Sequence, residues 1–240
     1  MFRFIITVIF LAIFGIISLP ILGVLWIMGK IKPEAKSKGS LAVVKCALKI
    51  VTFLDGIRLT IIGYDKVPEN EAVQYVANHS SIFDIVVTLP LVKTETAFIS
   101  KKENRVPILA QYMENMHGIF FDRNDMKQGM KTILDSIEMI KKGISVFIYP
   151  EGTRTKTGEL NPFKEGSFKI AAKTGCKVVP IAITGTADVF ENHLPRIKSR
   201  EVIVEFGDPF VIAELDEENR KFPGKYAQAL IQSMLDGHKA

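Results

Sequence analysis

The sequence predicts an α/β domain, with a mostly parallel or mixed sheet flanked by helices, behind an N-terminal membrane-binding element of two helices. Three observations predict this fold class. Short β-rich runs alternate with amphipathic helices from residue 58 onward, which is the pattern of an α/β layer. An uncharged apolar segment lies at the N-terminus, and a second helical pattern follows it. The chain of 240 residues is long enough for one such domain and an appendage.

The apolar N-terminal segment runs from Phe4 to Met28 without a charge. As one helix it would be about 37 Å long, against about 30 Å for the hydrocarbon of a bilayer. Pro20 removes a helical hydrogen bond, so we expect the segment either to span the membrane with a kink or to enter one leaflet and return.

The charges on either side of this segment predict its orientation. Arg3 precedes the segment, and four lysines follow it, Lys30, Lys32, Lys36 and Lys38. Because positive charge gathers on the cytoplasmic side, the rest of the chain is expected at the cytoplasmic face of the membrane, where the lysines would meet anionic headgroups.

A second helix is predicted over residues 40–56, with Leu41, Val44, Leu48 and Val51 on one stripe. Two interpretations of that stripe remain open, interfacial membrane binding and packing against the domain that follows. We therefore divide the chain into membrane-anchoring helices, 1–56, and a catalytic α/β domain, 57–240.

Seven β-rich runs follow, at residues 58–64, 73–77, 96–100, 118–121, 145–149, 178–184 and 201–206. Helical patterns lie between or after them, at residues 81–92, 106–116, 126–142, 167–174 and 225–235. The polar clusters NHSSIFD, DR and PEGTRTKTG come directly after the second, fourth and fifth runs. Because open α/β sheets bind ligands at the carboxyl edge of their strands, we expect the three clusters to meet in one crevice.

The first cluster offers a histidine and an aspartate at a spacing with two interpretations. Ser81-x-x-Asp84 is a capping box, which would make His79 an ordinary loop residue. Alternatively, Asp84 accepts from Nδ1–H of His79, fixes its tautomer and leaves Nε2 to take a proton. Ser80 and Ser81 lie outside any G-x-S-x-G elbow. We therefore reject an acyl-enzyme, and the proton would come from a substrate hydroxyl.

The other clusters offer cations for a phosphate. Arg123 and Arg154 follow two different strands, and the fork of an arginine matches phosphate oxygens bidentately. Gly152 and Thr153 permit a tight turn beside them, and Glu151 could accept a hydrogen bond from a substrate hydroxyl. Each of these residues also has an ordinary interpretation, as a surface arginine or as a turn carboxylate paired with Arg154.

Composition narrows the class of partner. The net charge of +5, from 31 basic and 26 acidic side chains, suits lipid headgroups, phosphorylated substrates or an acidic carrier protein, and is too small and scattered for nucleic acid. The two cysteines and four histidines have no metal-ligand spacing, which favours a reducing compartment and no metal. A magnesium ion held by Asp84 and Glu151 with a phosphate is the remaining metal hypothesis.

Taken together, NHSSIFD, FDR, YPEGTRT and VVPIAI resemble, in order and spacing, the four motif blocks of the 1-acyl-sn-glycerol-3-phosphate acyltransferase family. His79 and Asp84 match the first block, and Gly118–Arg123 matches the second. Glu151–Arg154 matches the third, with Tyr149 where phenylalanine is usual. The fourth block is matched by residues 179–181, centred on Pro180, and Lys101 lies where the family tends to carry a lysine.

The resemblance implies transfer of an acyl group from acyl-ACP or acyl-CoA, as cosubstrate and without a cofactor, to the sn-2 hydroxyl of lysophosphatidate. The product would be phosphatidic acid. His79 would be the general base, and Asp84 would orient it. The resemblance also implies roles for the remaining residues. The phosphate would be held by Arg123, Arg154 and Lys101. The acceptor site would be shaped by Glu151, Gly152 and Thr153. The acyl chain would be accommodated near Pro180.

Three alternatives remain open from the sequence. The acceptor could be another lysophospholipid or glycerol 3-phosphate, although two arginines favour a terminal phosphate. The chain could be a non-catalytic membrane protein that binds lipid. It could also be a metal-dependent phospholipid hydrolase, which a chelator would inactivate.

Overall fold

The computed structural model describes residues 1–122 and 124–239. Its first two helices, α1 (Phe2–Ile31) and α2 (Pro33–Leu54), form a hairpin that reverses at Lys32. Pro33 occupies the first turn of α2, where its missing N–H costs no hydrogen bond. At the open end, Arg3 Nη1 of α1 donates to the carbonyl oxygen of Leu54 at 3.0 Å, so both ends of the hairpin are fixed.

Pro20 lies inside α1 and does not turn the chain back there, which was one of the two expectations for this segment, beside a span with a kink. The helix continues through it for 30 residues, about 45 Å at the usual rise. Pro20 lies on the exposed side of the helix, so its ring does not disturb the packing against α2. By length and composition α1 could cross a membrane, and 11% of its most apolar window is buried inside the protein.

Seven strands form one sheet in the order β1-β7-β6-β2-β5-β3-β4. All neighbouring strands are parallel except β6 and β7, which are antiparallel. This confirms the predicted fold class, and the mixed sheet is the alternative that holds. The strands are β1 (Arg58–Ile62), β2 (Gln74–Ala77), β3 (Thr96–Lys101), β4 (Ile119–Phe121), β5 (Ser145–Ile148), β6 (Val178–Thr184) and β7 (Glu201–Phe206).

Helices cover both faces of the sheet. They are α3 (Phe83–Thr88), α4 (Pro107–Asn115), α5 (Met126–Lys141), α6 (Lys169–Thr174), α7 (Thr186–Val189), α8 (Glu217–Lys221) and α9 (Pro223–Gly237). Because side chains alternate along a strand, β2 contributes to two cores. Tyr75 packs in the core that includes Val44 and Val51 of α2, and Val76 packs against Ala227 and Ile231 of α9.

The second helix therefore packs against the α/β domain, as one of its two interpretations predicted. Val44, Ala47 and Val51 are buried, and Lys45 Nζ donates to the carbonyl oxygen of Val92 at 2.5 Å. Burial lowers the pKa of Lys45, and the neighbouring Lys49 charge lowers it further. The division at residue 56 stays a prediction, because the hairpin shares a core with the sheet.

Candidate active site

The site begins where β2 ends, at Asn78. Its side-chain amide exchanges two hydrogen bonds with the backbone of Ile183 in β6: Nδ2 donates to the carbonyl oxygen at 2.9 Å, and Oδ1 accepts from the N–H at 2.8 Å. This pair imitates a strand ladder after Ala77, the last residue of β2. The next residue, His79, therefore leaves the sheet at a fixed point of its carboxyl edge.

His79 and Asp84 are in direct contact. Nδ1 of His79 lies 2.8 Å from Oδ2 of Asp84, and the two side chains are 12% and 0% exposed. A buried carboxylate at Nδ1 favours the tautomer with its proton on that nitrogen, so Nε2 is left free to accept a proton.

Asp84 also organises the turn around His79. Its Oδ2 accepts from the backbone N–H groups of Ser80 at 2.7 Å and Ser81 at 2.9 Å. Its Oδ1 accepts from the hydroxyl of Thr186 at 2.5 Å. Four donors satisfy this buried charge, as a carboxylate without water requires. The same aspartate therefore caps the start of α3 and orients the imidazole.

The two serines beside His79 use their hydroxyls elsewhere. Thr186 gives its proton to Asp84, so the 3.1 Å contact between Ser80 Oγ and Thr186 Oγ1 has Ser80 as its donor. Ser81 donates to Oε2 of Glu191 at 2.5 Å and accepts from the N–H of Phe83 at 2.9 Å. Neither arrangement directs a serine hydroxyl at His79.

The loop after β5 holds the backbone of His79 from both sides. Oε1 of Glu151 accepts from the N–H of His79 at 2.6 Å, and the N–H of Thr155 donates to its carbonyl oxygen at 2.8 Å. Oε2 of Glu151 accepts from the N–H of Asn161 at 2.9 Å. Burial raises the pKa of Glu151, and the backbone hydrogen bonds from Asn161 and His79 oppose the rise.

Tyr149 packs against the imidazole. The ring centroids of His79 and Tyr149 are 4.1 Å apart and the planes differ by 21°, which is a stacked pair. Burial, and then the charge of Asp84, raise the pKa of Tyr149 well above its ordinary value. The imidazole is therefore held on its face by this ring and on its edge by Asp84.

Two of the three predicted cations, Arg154 and Lys101, lie at the same edge of the sheet. Arg154 is half-exposed, and its Nη1 donates to Oε1 of Glu191 at 3.0 Å. Lys101 is the last residue of β3, next to β5 in the sheet. Arg123 lies outside the described residues. Among the described residues, the structure brings the first and third clusters into contact.

Gly152 and Thr153 form the turn between Glu151 and Arg154. The φ angle of Gly152 is 73°, a left-handed value that favours glycine. A Cβ atom there would come within 2.7 Å of Nζ of Lys164, so this lysine lies over the turn. Thr153 is exposed. Pro180 is buried in β6, paired in register with Val76.

Four contacts of the site were not predicted from the sequence, those of Asn78, Thr186, Glu191 and Lys164. The signal for Asn78 was its place directly after a buried run. Thr186 and Glu191 follow β6, and Lys164 follows the third cluster, where the sequence analysis had marked no chemistry. These segments lie near His79 because β5 and β6, which they follow, are the two neighbours of β2 in the sheet.

Among the described residues, no group of three or more His, Cys, Asp or Glu side chains is arranged to hold a metal ion. The oxygens of Asp84 and Glu151 accept hydrogen bonds from the protein itself. A magnesium ion on these two carboxylates would have to replace those bonds.

The sequence model of the acyltransferase family matches residues 58–184, more than half of the chain, which confirms the predicted family. The chain is 39% identical over 152 residues to the chloroplastic 1-acyl-sn-glycerol-3-phosphate acyltransferase BAT2 of Brassica napus, covering 62% of this chain and 42% of that protein. It is 40% identical over 134 residues to the chloroplastic enzyme of the same name, LPAT1, of Arabidopsis thaliana, covering 55% and 37%. The chain thus spans less than half the length of these two relatives.

A solved structure is similar over nearly the whole chain. It is the 1-acyl-sn-glycerophosphate acyltransferase PlsC from Thermotoga maritima, with a TM-score of 0.81 and 24% identity, covering 99% of this chain and 97% of that one. At this identity the likeness is one of fold, and it includes the N-terminal hairpin.

Proposed function

Since the chain belongs to the acyltransferase family, we propose that it transfers a fatty acyl group to the sn-2 hydroxyl of 1-acyl-sn-glycerol 3-phosphate, giving phosphatidic acid. The observation that carries this proposal is the contact of His79 with buried Asp84, beside the loop of Arg154, whose next residue, Thr155, donates its N–H to the carbonyl oxygen of His79. A base and a phosphate-binding cation are the two groups that this acceptor needs. The names of the Brassica and Arabidopsis relatives support the same acceptor.

In the proposed reaction, Nε2 of His79 takes the proton of the acceptor hydroxyl as its oxygen attacks the thioester carbonyl. The resulting tetrahedral oxyanion collapses, the carbon–sulfur bond breaks, and the thiolate leaves with the proton returned by His79. Asp84 stays ionised and stabilises the imidazolium between the two transfers. General base catalysis of this kind contributes about 10²–10⁴ in rate.

The phosphate of the acceptor is proposed to bind Arg154, Arg123 and Lys101. Gly152 and Thr153 shape the turn that carries Arg154, and Glu151 holds both that turn and the backbone of His79. The acyl donor is a thioester of an acyl carrier protein or of CoA, and it is the cosubstrate. No further cofactor enters the reaction as we propose it.

We further propose that the protein works on a membrane, at its cytoplasmic face. The exposed apolar side chains of α1 support this, since they include Ile9, Ile16 and Trp26, which are at least half exposed. The acceptor and the product are both lipids, so an attached enzyme avoids extracting them into water.

The test is thiol release from palmitoyl-ACP and palmitoyl-CoA by the lipid-reconstituted protein, with and without lysophosphatidate. Release should require the acceptor, and it should fall about 10²–10⁴-fold in His79→Ala and Asp84→Asn. His117→Gln is the matched control, because His117 lies at the amino end of β4, on the opposite edge of the sheet. Comparing the two donors identifies the carrier.

Other outcomes would replace the proposal. Release that needs glycerol 3-phosphate or lysophosphatidylcholine instead would move the activity to that acceptor. Release without any acceptor that a chelator abolishes would favour a metal-dependent hydrolase. Release unchanged by His79→Ala would remove the proposed base.

A further inference from the structure

Glu191 contacts both the turn that carries His79 and the side chain of Arg154. It lies in a short 3₁₀ turn, Glu191–His193, between α7 and β7, outside every motif. Its Oε1 accepts from the N–H of Ile82 at 2.8 Å and from Nη1 of Arg154 at 3.0 Å. Its Oε2 accepts from the hydroxyl of Ser81 at 2.5 Å. One carboxylate therefore holds both the turn that carries His79 and the arginine proposed for phosphate.

The contact with Arg154 differs from the other two in exposure. The Glu191 side chain is 20% exposed and that of Arg154 is 52% exposed. An exposed ion pair contributes little free energy, because water and salt screen it. A phosphate monoester carries more charge than a carboxylate and matches the guanidinium fork at least as well. Such an anion is able to replace the carboxylate at Arg154.

The contacts with the turn are less easily replaced. The hydroxyl of Ser81 is part of a buried residue, and the N–H of Ile82 lies at the start of α3 without another acceptor among its described contacts. The buried hydroxyl of Ser81 would lose its partner if Glu191 left, and an unpaired buried donor costs more than a normal hydrogen bond contributes. The N–H of Ile82, an exposed residue, would bond to water instead. We therefore expect Glu191 to keep the turn while it gives up the arginine.

We infer that Glu191 is a positioning residue whose carboxylate occupies the place of the acceptor phosphate at Arg154 until a phosphomonoester displaces it. It holds Arg154 beside the His79 turn in the free protein, and it competes with the phosphate for that arginine. The inference rests on the proposed function, since it takes Arg154 as a phosphate ligand. It adds a specificity element, because an acceptor without a phosphate cannot displace the carboxylate.

Two substitutions of Glu191 separate its competition with phosphate at Arg154 from its hydrogen bonds to the His79 turn. Glu191→Gln keeps one side-chain oxygen, which can accept from the N–H of Ile82, and places an amide nitrogen beside the hydroxyl of Ser81. It removes the charge that competes at Arg154. We expect the KM for lysophosphatidate and the inhibition constant of inorganic phosphate to fall about twofold to fivefold, as the loss of an exposed ion pair allows. Glu191→Ala removes the support of the turn as well, so kcat should fall. A purely structural role would lower kcat or Tm and leave phosphate affinity unchanged.

The matched control is Glu71→Gln. Glu71 pairs with Lys177 at 2.7 Å, and the two side chains are 47% and 43% exposed. Both residues precede the amino ends of β2 and β6, on the edge of the sheet opposite His79. This substitution also breaks a half-exposed ion pair, and it should change neither KM nor phosphate inhibition.

A second readout uses no catalysis. The rise in Tm caused by inorganic phosphate is measured in detergent for the wild type, Glu191→Gln, Glu71→Gln and Glu191→Gln with Arg154→Ala. Phosphate should stabilise Glu191→Gln more than the wild type, and Arg154→Ala should abolish the gain. Equal stabilisation of the wild type and Glu191→Gln, or a gain that survives Arg154→Ala, overturns the inference. A wild type that transfers no acyl group to lysophosphatidate contradicts the proposed function instead, and the Tm series still decides the role of Glu191.

Discussion

Asp84 shows how one residue can satisfy two interpretations of a sequence. The spacing Ser81-x-x-Asp84 predicted a capping box, and His79-x4-Asp84 predicted an oriented base. Both contacts exist, because Oδ2 accepts from Ser81 N–H and from His79 Nδ1 together. The capping bond fixes where the carboxylate lies, and the carboxylate then fixes the imidazole. A helix start is thus also part of the candidate chemistry.

Tyr149 stacks on the imidazole of His79, and its substitution can separate the effect of the ring from that of the hydroxyl. Its hydroxyl is buried and makes no hydrogen bond of normal length within the described chain. Because an unpaired buried hydroxyl is costly, Tyr149→Phe should raise the free energy of unfolding by about 1 kcal/mol, or Tm by about 2–4 °C. Acyl transfer should stay within about twofold of the wild type, since the ring stacked on His79 remains.

The control for this substitution is Tyr226→Phe. Tyr226 packs edge-on against Phe210, on the opposite side of the sheet from the hairpin, and it is only partly buried. Its replacement should change stability by about 0.5 kcal/mol or less. A tenfold loss of kcat in Tyr149→Phe alone would show that the hydroxyl takes part in the reaction, against the expectation here.

At the scale of elements, the junction between α1, α2 and the sheet contains a buried acid. Oδ1 of Asp55, directly after α2, accepts from the hydroxyl of Thr7 in α1 at 2.5 Å, and its Oδ2 has no partner in the described chain. Burial raises the pKa of Asp55 from 3.8 to about 6, against the opposing effects of Thr7 and Arg3. Folding therefore disfavours the charged form of Asp55 relative to the unfolded chain.

This junction predicts the sign of a pH dependence. The folded protein holds the Asp55 proton more tightly than the unfolded chain does. The stability that this proton contributes is therefore fully present below about pH 4 and is lost as the pH rises to about 6. Asp55→Asn removes that loss. Above pH 6 we expect Asp55→Asn to have a higher Tm than the wild type, with a gain in the free energy of unfolding of at most about 3 kcal/mol. Near pH 4 we expect the two proteins to have the same Tm.

Melting curves in detergent from pH 4 to 8 test this, with the exposed Asp65→Asn as the control. The quantity that matters is the difference in Tm between Asp55→Asn and the wild type at each pH. If that difference is constant, the carboxyl group of Asp55 does not titrate in this interval and the assigned pKa is wrong.

Elements with a strong local pattern were the ones that the sequence predicted well. All seven strands lie where β-rich runs were found, and α5 spans most of its predicted range. The carboxyl-edge placement of NHSSIFD and PEGTR followed from parallel strands, and β2 and β5 are indeed neighbours. The place of β3 between β5 and β4 could not be predicted, because strand order depends on packing between distant segments.

In the helical hairpin and in the site, contacts between residues close in sequence could be predicted, and contacts between distant segments could not. Pro20 was expected to kink the N-terminal segment or to turn it back into one leaflet, and in the structure α1 continues through this exposed proline. The bond of Glu191 to Ser81 joins residues 110 positions apart, and no local pattern encodes it. The contact of His79 with Asp84, five positions apart, could be predicted.

On the scale of the whole molecule, the hairpin and the α/β sheet with its helices share one core. Besides the shared core, Ser37 of α2 donates to Oε2 of Glu95 at 2.7 Å, and Asn115 of α4 donates to Ser40 at 3.1 Å. Whatever surface holds α1 therefore also fixes the position of His79 relative to that surface. For a lipid acceptor, the way in which α1 attaches to the membrane therefore also determines how far His79 lies from the lipid.

The exposed side of α1 then predicts how activity should depend on the form of the substrate. Ile16, in the middle of α1, is 70% exposed, and a lysine in its place would cost about 2.5–3.5 kcal/mol at the centre of a bilayer. We expect Ile16→Lys to weaken binding to anionic phospholipid vesicles by at least about tenfold. Transfer to long-chain lysophosphatidate in those vesicles should fall in parallel. Transfer to a short-chain, water-soluble lysophosphatidate should be unchanged, because Ile16 does not touch the site.

Ile61→Lys is the matched control, since Ile61 is an exposed isoleucine, 41% accessible, on β1, the edge strand of the sheet. It adds the same charge and should leave both vesicle binding and transfer unchanged. Vesicle co-sedimentation and thiol release with the two acceptors measure the effect. Equal co-sedimentation of Ile16→Lys and Ile61→Lys would mean that α1 does not carry the attachment. A parallel loss with the soluble acceptor would mean that the substitution damages the folded domain rather than its contact with lipid.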